Sequence, residues 1–499
     1  MRTKGKIRRI SRYLLLRAVL GLIIAVLGYG VYRFLSYELK TSEIQARTFS
    51  RLAREMTYWM AEGPSNSIRF PGPGPYDLRL GYSMLPQWIE SLKARGYVVK
   101  AQCRVSPRFM EAVDHGVFPI YREKTQAGLT IYDRDGKEIW SALYPQRVYR
   151  SFDEIPEIIV KTLLFIENRE LFEEGYPKKN PAVEWDRFAK AVLDTFGNVL
   201  RGGGKSPGGS TLATQLEKFR HSPEGRTDNP LEKIRQMVSA SLRSYMSGEE
   251  TWEARKRIVL DYLNSIPLAA IPGYGEVIGL GDGLWAWFDA DFHRTNEVLK
   301  SLGRTAGARE MRDAALEFRK VLSLLLAHRR PSHYLISERE ALHELADRYL
   351  KLLSEAKIVP EEMCKAAMEV RPKLRERIAQ LEPVDFLTRK AANSVRRVLL
   401  NDLGIRSLYE LDRLDLTVMS TFNRPLQDKV TEALAKLKDT KSVQAAGLAG
   451  YRLLEKGDPS KVFYSVTLYE RTPKGNLLRV QTDNFEGPFN INEGIKLDL

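Results

Sequence analysis

Three segments carry residue types suited to chemistry. In Phe165-Ile-Glu-Asn-Arg-Glu-Leu-Phe172, Glu167 follows an apolar helical stretch, Ile158 to Ile166. A carboxylate beside such a face is partly desolvated, which suits proton transfer. A solvated glutamate next to a core stripe has the same pattern. The second segment is Gly208-Gly-Ser-Thr-Leu-Ala-Thr-Gln-Leu-Glu-Lys218. Glycines followed by Ser210 and Thr211 make a good helix start, where a hydroxyl caps free backbone N–H groups. A helix N-terminus after a Gly-rich turn favours phosphate, and Gln215 and Lys218 lie about one turn further on. It is not a Walker A loop, because Gly204-Lys205-Ser206 lacks that spacing. The third segment, Arg257 to Asn264, reads as an apolar helix that ends and turns at Ile271-Pro-Gly-Tyr-Gly275. Its Tyr262 and Asn264 suit packing or hydrogen bonding.

The elements around these segments emerge from spacing. From Ile155 to Arg330 the pattern is mainly helical, broken by the loop Gly202–Thr211. Leu129 to Trp140 predicts a hairpin around an Asp-Gly turn. Upstream, Glu43 to Ala61 predicts a helix, Gly63 to Pro75 a break, and residues 84–127 a small mixed module. Long amphipathic helices continue over 308–357, interrupted at Pro331. Beyond about residue 410, Leu414–Phe422 is β-like, Gln427–Lys438 is an amphipathic helix, and Val462–Leu468 and Leu477–Val480 read as strands.

The chain has 499 residues, 43% of them hydrophobic, enough for two or three domains. Its net charge of +15 favours anionic partners: nucleic acid, anionic lipid or a pyrophosphate. The first 40 residues argue against nucleic acid. Arg2, Lys4, Lys6, Arg8, Arg9 and Arg12 precede an apolar run, Tyr13 to Leu35, interrupted only by Arg17 and Arg33. That run suits a single membrane span, and the positive-inside rule puts residues 1–12 in the cytoplasm and the bulk of the chain outside. No small-x-small cleavage site comes after it, so an uncleaved anchor is expected rather than a signal peptide. Cys103 and Cys364 are expected to be free buried thiols, and the six histidines show no metal-ligand spacing.

Taken in order, the segments resemble the glycosyltransferase domain of class A penicillin-binding proteins. Ile166-Glu-Asn-Arg-Glu-Leu171 is similar to that family's first motif, Ile-Glu-Asp-x-x-Phe. Gly208–Lys218 matches the second, Gly-Gly-Ser-Thr-x-x-x-Gln-x-x-Lys, at every fixed position. Tyr262-Leu-Asn264 resembles the end of the fourth motif, and Tyr274-Gly275 the Tyr-Gly that comes after it. Asp133–Lys137 and Phe152–Pro156 before the domain, Leu325–Tyr334 after it and Leu416–Gln427 further on are similar to the family's flanks. The resemblance covers roughly residues 128–440.

It implies a mainly α fold: a lysozyme-like helical glycosyltransferase domain behind a single transmembrane helix. A small α/β module stands before it and the start of a transpeptidase-like α/β domain after it. The corresponding boundaries are a basic tail at 1–12, an anchor at 13–35, and a membrane-proximal module at 36–127. They continue with the glycosyltransferase domain at 128–335, a helical extension at 336–412, and a linker with an incomplete transpeptidase-like start at 413–499. The implied activity is polymerisation of lipid II into glycan strands at a bacterial inner membrane. Glu167 would be the general base, and Ser210, Thr211, Gln215, Lys218 and Lys233 would hold the pyrophosphate, with Tyr262 and Asn264 lining the site. Implied partners are lipid II, the growing strand, the membrane and other cell-wall synthesis proteins. No metal ligand is assigned, and participation of Mg2+ or Mn2+ is left open.

The chain departs from the family pattern in four places. Asn168 stands where Asp is usual, and an apparent insertion precedes Trp185. The third motif, usually Arg-Lys-x-x-Glu, is best matched by Glu232-Lys-Ile-Arg-Gln236, so Gln236 takes the place of a second catalytic carboxylate. Leu260-Asp261 replaces the fourth motif's Glu. A degenerate member acting as a lipid II-binding or scaffold protein is therefore the alternative. A lytic enzyme would have no pyrophosphate to cradle. A transpeptidase would need Ser-x-x-Lys with a later Lys-Thr-Gly, and only Ser354-Glu-Ala-Lys357 occurs.

Overall fold

The structure, a computed structural model, describes residues 2–184, 210–301, 307–378, 386–450, 454, 457–473 and 475–484. The chain is mainly helical. It opens with α1 (Arg2–Thr41), whose segment Val19–Thr41 is long and apolar enough to cross a membrane and has no part buried in the protein. Forty residues at about 1.5 Å each exceed the roughly 30 Å hydrocarbon core, so the helix continues beyond a span. The break from α2 (Glu43–Glu55) is Ser42, at φ 55. Ser42 is fully buried, and its hydroxyl accepts the Asn180 N–H at 3.1 Å. Glu38 caps the start of α2 by accepting from the N–H groups of Ile44 and Gln45. The apolar helix is thereby fastened to the helical body.

The helix expected over Glu43–Ala61 stops at Glu55, and β1 (Tyr58–Glu62) is a strand. Its Tyr-Trp-Met start suits a pleated surface, and antiparallel pairing with β2 (Ala101–Val105) satisfies its backbone. Between them lie α3 (Pro75–Arg79) and α4 (Leu85–Ala94), and α5 (Pro107–Asp114) comes next. The expected hairpin forms from β3 (Leu129–Tyr132) and β4 (Glu138–Ser141). Its turn is tied by Asp133, which accepts from the N–H groups of Asp135 and Lys137.

The helical body comprises α6 (Glu157–Glu167), α7 (Leu212–His221), α8 (Pro230–Ser244), α9 (Trp252–Ser265), α10 (Gly279–Phe288), α11 (Phe292–Lys300) and α12 (Ala308–Ala327). A π-turn at His333–Ser337 comes next, then α13 (Arg339–Glu355) and α14 (Glu361–Glu369). One continuous apolar core runs from Tyr149 to Ile378, with Val259, Leu263, Leu284, Trp287, Phe318 and Leu322 among its most buried members. Helices α13 and α14 share that core.

Downstream come α15 (Phe386–Leu403), α16 (Leu408–Arg413), β5 (Leu416–Met419), α17 (Arg424–Lys436) and α18 (Thr440–Ala445). The last described elements are β6 (Ser465–Thr472) and β7 (Gly475–Asp483), an antiparallel pair. β5 pairs in parallel with β3, Leu129 opposite Leu416, so the segment expected as a linker completes a three-stranded sheet with the hairpin. Cys103 and Cys364 are free, Cys364 buried and Cys103 half-buried.

Candidate active site

Glu167 is the last residue of α6. The helix ends because Asn168 leaves helical geometry, at φ −157 and ψ 72. Asn168 is buried, donates to the Glu184 carboxylate and accepts the Leu212 N–H at 3.3 Å. An amide offers a donor to one neighbour and an acceptor to the other, which an ionised carboxylate cannot. A carboxylate at this position would face Glu184 with like charge. The departure at Asn168 is thus matched to its surroundings, and it ties the end of α6 to the start of α7.

The α7 start has the expected design. Thr211 is the N-cap and accepts the Thr214 N–H at 3.3 Å. The Thr211 hydroxyl donates to the Ala182 carbonyl, so this residue is spent on local structure. Gly208 and Gly209, the other loop residues back to Gly202, and Trp185 lie outside the described residues.

Gln215, one turn into α7, donates from Nε2 to Glu167 Oε2 at 3.0 Å. Its Oε1 stands 3.2 Å from the Tyr262 hydroxyl. Tyr262 comes from α9 and is fully buried, which pushes its phenol well above the ordinary value. Sequence reasoning missed two further neighbours. Arg329 forks onto Glu167 Oε1 from Nε at 3.0 Å and Nη2 at 2.8 Å. His328 Nε2 lies 3.9 Å from the same oxygen and 2.8 Å from the Tyr262 hydroxyl. The only signal for either is the run Leu325–Tyr334, to which the sequence attaches no chemistry.

The cations lie beside this group. Lys218 is half-buried and makes no ion pair with any described residue. Burial lowers its pKa, although the Glu167 charge, close enough to be felt, acts the other way. Lys233, from α8, donates to Ser210 Oγ at 2.6 Å. Burial and the neighbouring Lys218 push it down to about 8. Two ammonium groups that destabilise each other in a half-buried setting form a site short of negative charge.

Gln236 and Asn264 are placed differently. Gln236 is buried and donates to Ser222 Oγ and Thr227 Oγ1, both at 2.9 Å, holding the 222–227 loop against α8. Asn264 exchanges two hydrogen bonds with the Tyr149 backbone, at 2.9 and 2.8 Å, fixing the end of α9. Neither has a described contact with Glu167. Among the described residues no group of three or more His, Cys, Asp or Glu could hold a metal ion. The Glu167 carboxylate is engaged by the Arg329 guanidinium.

No curated protein matches the chain. Residues 135–356, which span Glu167, Gln215, Lys218, Lys233, Tyr262 and Arg329, match the family model described as Transglycosylase. The match is consistent with a glycosyltransferase domain of the class A penicillin-binding-protein type. Residues 135–356 therefore carry a transglycosylase domain, which supports in general terms a peptidoglycan glycosyltransferase.

Proposed function

We propose that the chain polymerises lipid II into glycan strands, with Glu167 as general base. The observation that carries this is the convergence of one carboxylate with two lysines, Lys218 and Lys233, that lack carboxylate partners among the described residues. Glu167 removes the proton from the acceptor sugar's 4-hydroxyl as that oxygen attacks the donor's anomeric carbon. The bond from that carbon to the pyrophosphate oxygen breaks, and negative charge builds on the leaving group. Lys218, Lys233 and the Ser210 hydroxyl receive that charge; fixed donors matter most where charge develops. Arg329 orients Glu167 before the acceptor arrives. The pyrophosphate leaves without needing a proton, so one base suffices. Gln215 and Tyr262 orient the carboxylate, while Thr211, Gln236 and Asn264 keep the segments in register.

On this reading the helical body is lysozyme-like and extracytoplasmic. Its anchor is the apolar part of α1, and the segment beyond residue 413 opens a transpeptidase-like domain. The substrate is the lipid-borne pyrophosphate at a bacterial inner membrane. The second reading is a lipid II-binding scaffold, favoured by Gln236 where the resemblance expects a carboxylate. The two separate when detergent-solubilised full chain is incubated with lipid II and the products are run on a gel. Glycan polymer supports the enzyme. Bound but unpolymerised lipid II supports the scaffold.

A further inference from the structure

We infer that His328 is the positioning residue of Glu167, and the group to which Glu167 passes its proton after the transfer step. This rests on the catalytic reading above. The geometry fixes where the protons sit. His328 Nδ1 is 2.7 Å from the Leu325 carbonyl, which can only accept, so Nδ1 carries hydrogen. In the neutral ring Nε2 is then bare, and the Tyr262 hydroxyl, 2.8 Å away, donates to it. A hydroxyl has one proton. While it points at Nε2 it cannot also serve Gln215 Oε1, 3.2 Å away on the other side.

A proton added at Nε2 reverses the chain. Nε2–H donates to the Tyr262 oxygen, and the tyrosine turns its own proton to Gln215 Oε1. The Gln215 amide continues to donate to Glu167 Oε2, at 3.0 Å. Every polar atom in the chain is then satisfied. Glu167 Oε1, the carboxylate oxygen facing the ring, lies 3.9 Å from Nε2, and the transfer requires the two to close to hydrogen-bond distance as the tyrosine hydroxyl turns away. In the step itself the Glu167 O–H bond breaks and the His328 Nε2–H bond forms. The carboxylate returns to its ionised form beside Arg329, and the Tyr262 O–H swings across. Charge is conserved, since a neutral acid and a neutral imidazole become a carboxylate and an imidazolium. The proton leaves to solvent before the next cycle.

The charged and titratable groups facing the imidazole are Glu167 from α6, Lys218 from α7, Tyr262 from α9 and the adjacent Arg329. Burial keeps the resting ring neutral, lowering its pKa, and Lys218 and Arg329 act the same way while Glu167 opposes them.

Two measurements test this. In the full chain labelled with 15N-histidine, in detergent, NMR across pH 4–9 should show a neutral His328 at pH 7 with hydrogen on Nδ1. Its titration midpoint should fall further in Glu167→Gln, where the stabilising anion is gone. Hydrogen on Nε2, or a midpoint indifferent to Glu167→Gln, overturns the inference. With lipid II as substrate, His328→Gln should lower kcat by about 10²-fold, the low end for a positioned proton-transfer group, with KM little changed. Its acid limb should move to lower pH, because one proton acceptor has been removed. An unchanged kcat and profile overturns the role. Should His328→Gln fail to fold, Tyr262→Phe must alter the His328 titration, and an unaltered titration overturns the chain. A wild type that makes no polymer defeats the catalytic reading, while the NMR arm still decides whether His328 is wired to Glu167.

Discussion

Helix α7 carries charge on two faces and uses it in opposite ways. Gln215 and Lys218, one turn apart, point at Glu167 and the proposed pyrophosphate site. Glu217, Arg220 and His221 lie on the other side of the same helix, and there every charge is matched. Arg220 pairs with Glu123 and lies 3.5 Å from Asp261. His221 reaches Asp77 at 2.8 Å and Glu123 at 2.6 Å. Arg243 meets Glu217 at 2.8 Å and Glu123 at 3.0 Å. Burial alone would raise the Glu123 pKa, but the surrounding cations hold it well below the usual carboxylate range. The backbone approach is equally close, because a Cβ on Gly74 would stand 2.3 Å from the Arg220 carbonyl oxygen. The matched face clamps residues 74–127 to the helical body. The unmatched face leaves two lysines for a ligand to neutralise. A buried charge with its partners in place holds structure; one without them stores affinity.

The largest effect should come from breaking the matched face. Glu123→Gln leaves Arg220, Arg243 and His221 short of a carboxylate, and removing one member of a buried pair costs about 3–5 kcal/mol. Denaturant unfolding should show that loss. Full stability in the variant would mean the network is not a clamp.

Next in size is Lys218→Ala. Removing one fixed electrostatic partner of the leaving group costs about 10²–10³ in rate, or about 2.7–4 kcal/mol of barrier. Its Tm should stay level or rise, because a half-buried, unpaired ammonium is lost. A drop in Tm with unchanged turnover would exchange the roles assigned to the two faces.

The faces should also differ in pH response. Burial pushes His221 down, but Glu123 and Asp77 outweigh it and lift it from 6.5 to about 9. The folded protein therefore holds the proton more tightly than the unfolded chain. Its contribution is complete below pH 6.5 and is lost as pH rises through about 9. Stability should decline across that window, and less so in Asp77→Asn, which a thermal melt series would read. The smallest effect concerns Lys233. With its pKa pushed down to about 8 from 10.5, it loses charge early, so affinity for a lipid pyrophosphate analogue should fall above pH 8. Affinity held constant to pH 10 would remove Lys233 from the site.

The fold and the site are legible in the sequence, but unevenly. Helical periodicity and the Gly-Gly-Ser-Thr start are local signals, so Glu167, Ser210, Gln215 and Lys218 can be picked out with no fold in hand. The Asp-Gly hairpin is local too. The hidden part depends on pairing across long separations. Arg329 is 162 positions from Glu167, and Asp77 is 144 from His221. No spacing rule connects such residues, and residues 36–127 show no periodicity that would flag a buried carboxylate. The Tyr-Trp-Met strand reads as helix because its partner, β2, lies some 40 residues away. Gln236 and Asn264 stand out by motif position, yet their amides are engaged in holding a loop and a helix end.

The most direct test of the central claim compares wild type with Glu167→Gln in lipid II polymerisation at matched protein concentration. The account predicts polymer from the wild type, a loss on the order of 10²–10⁴ in the variant, and lipid II binding and Tm close to wild type. Equal polymer from both proteins would contradict it.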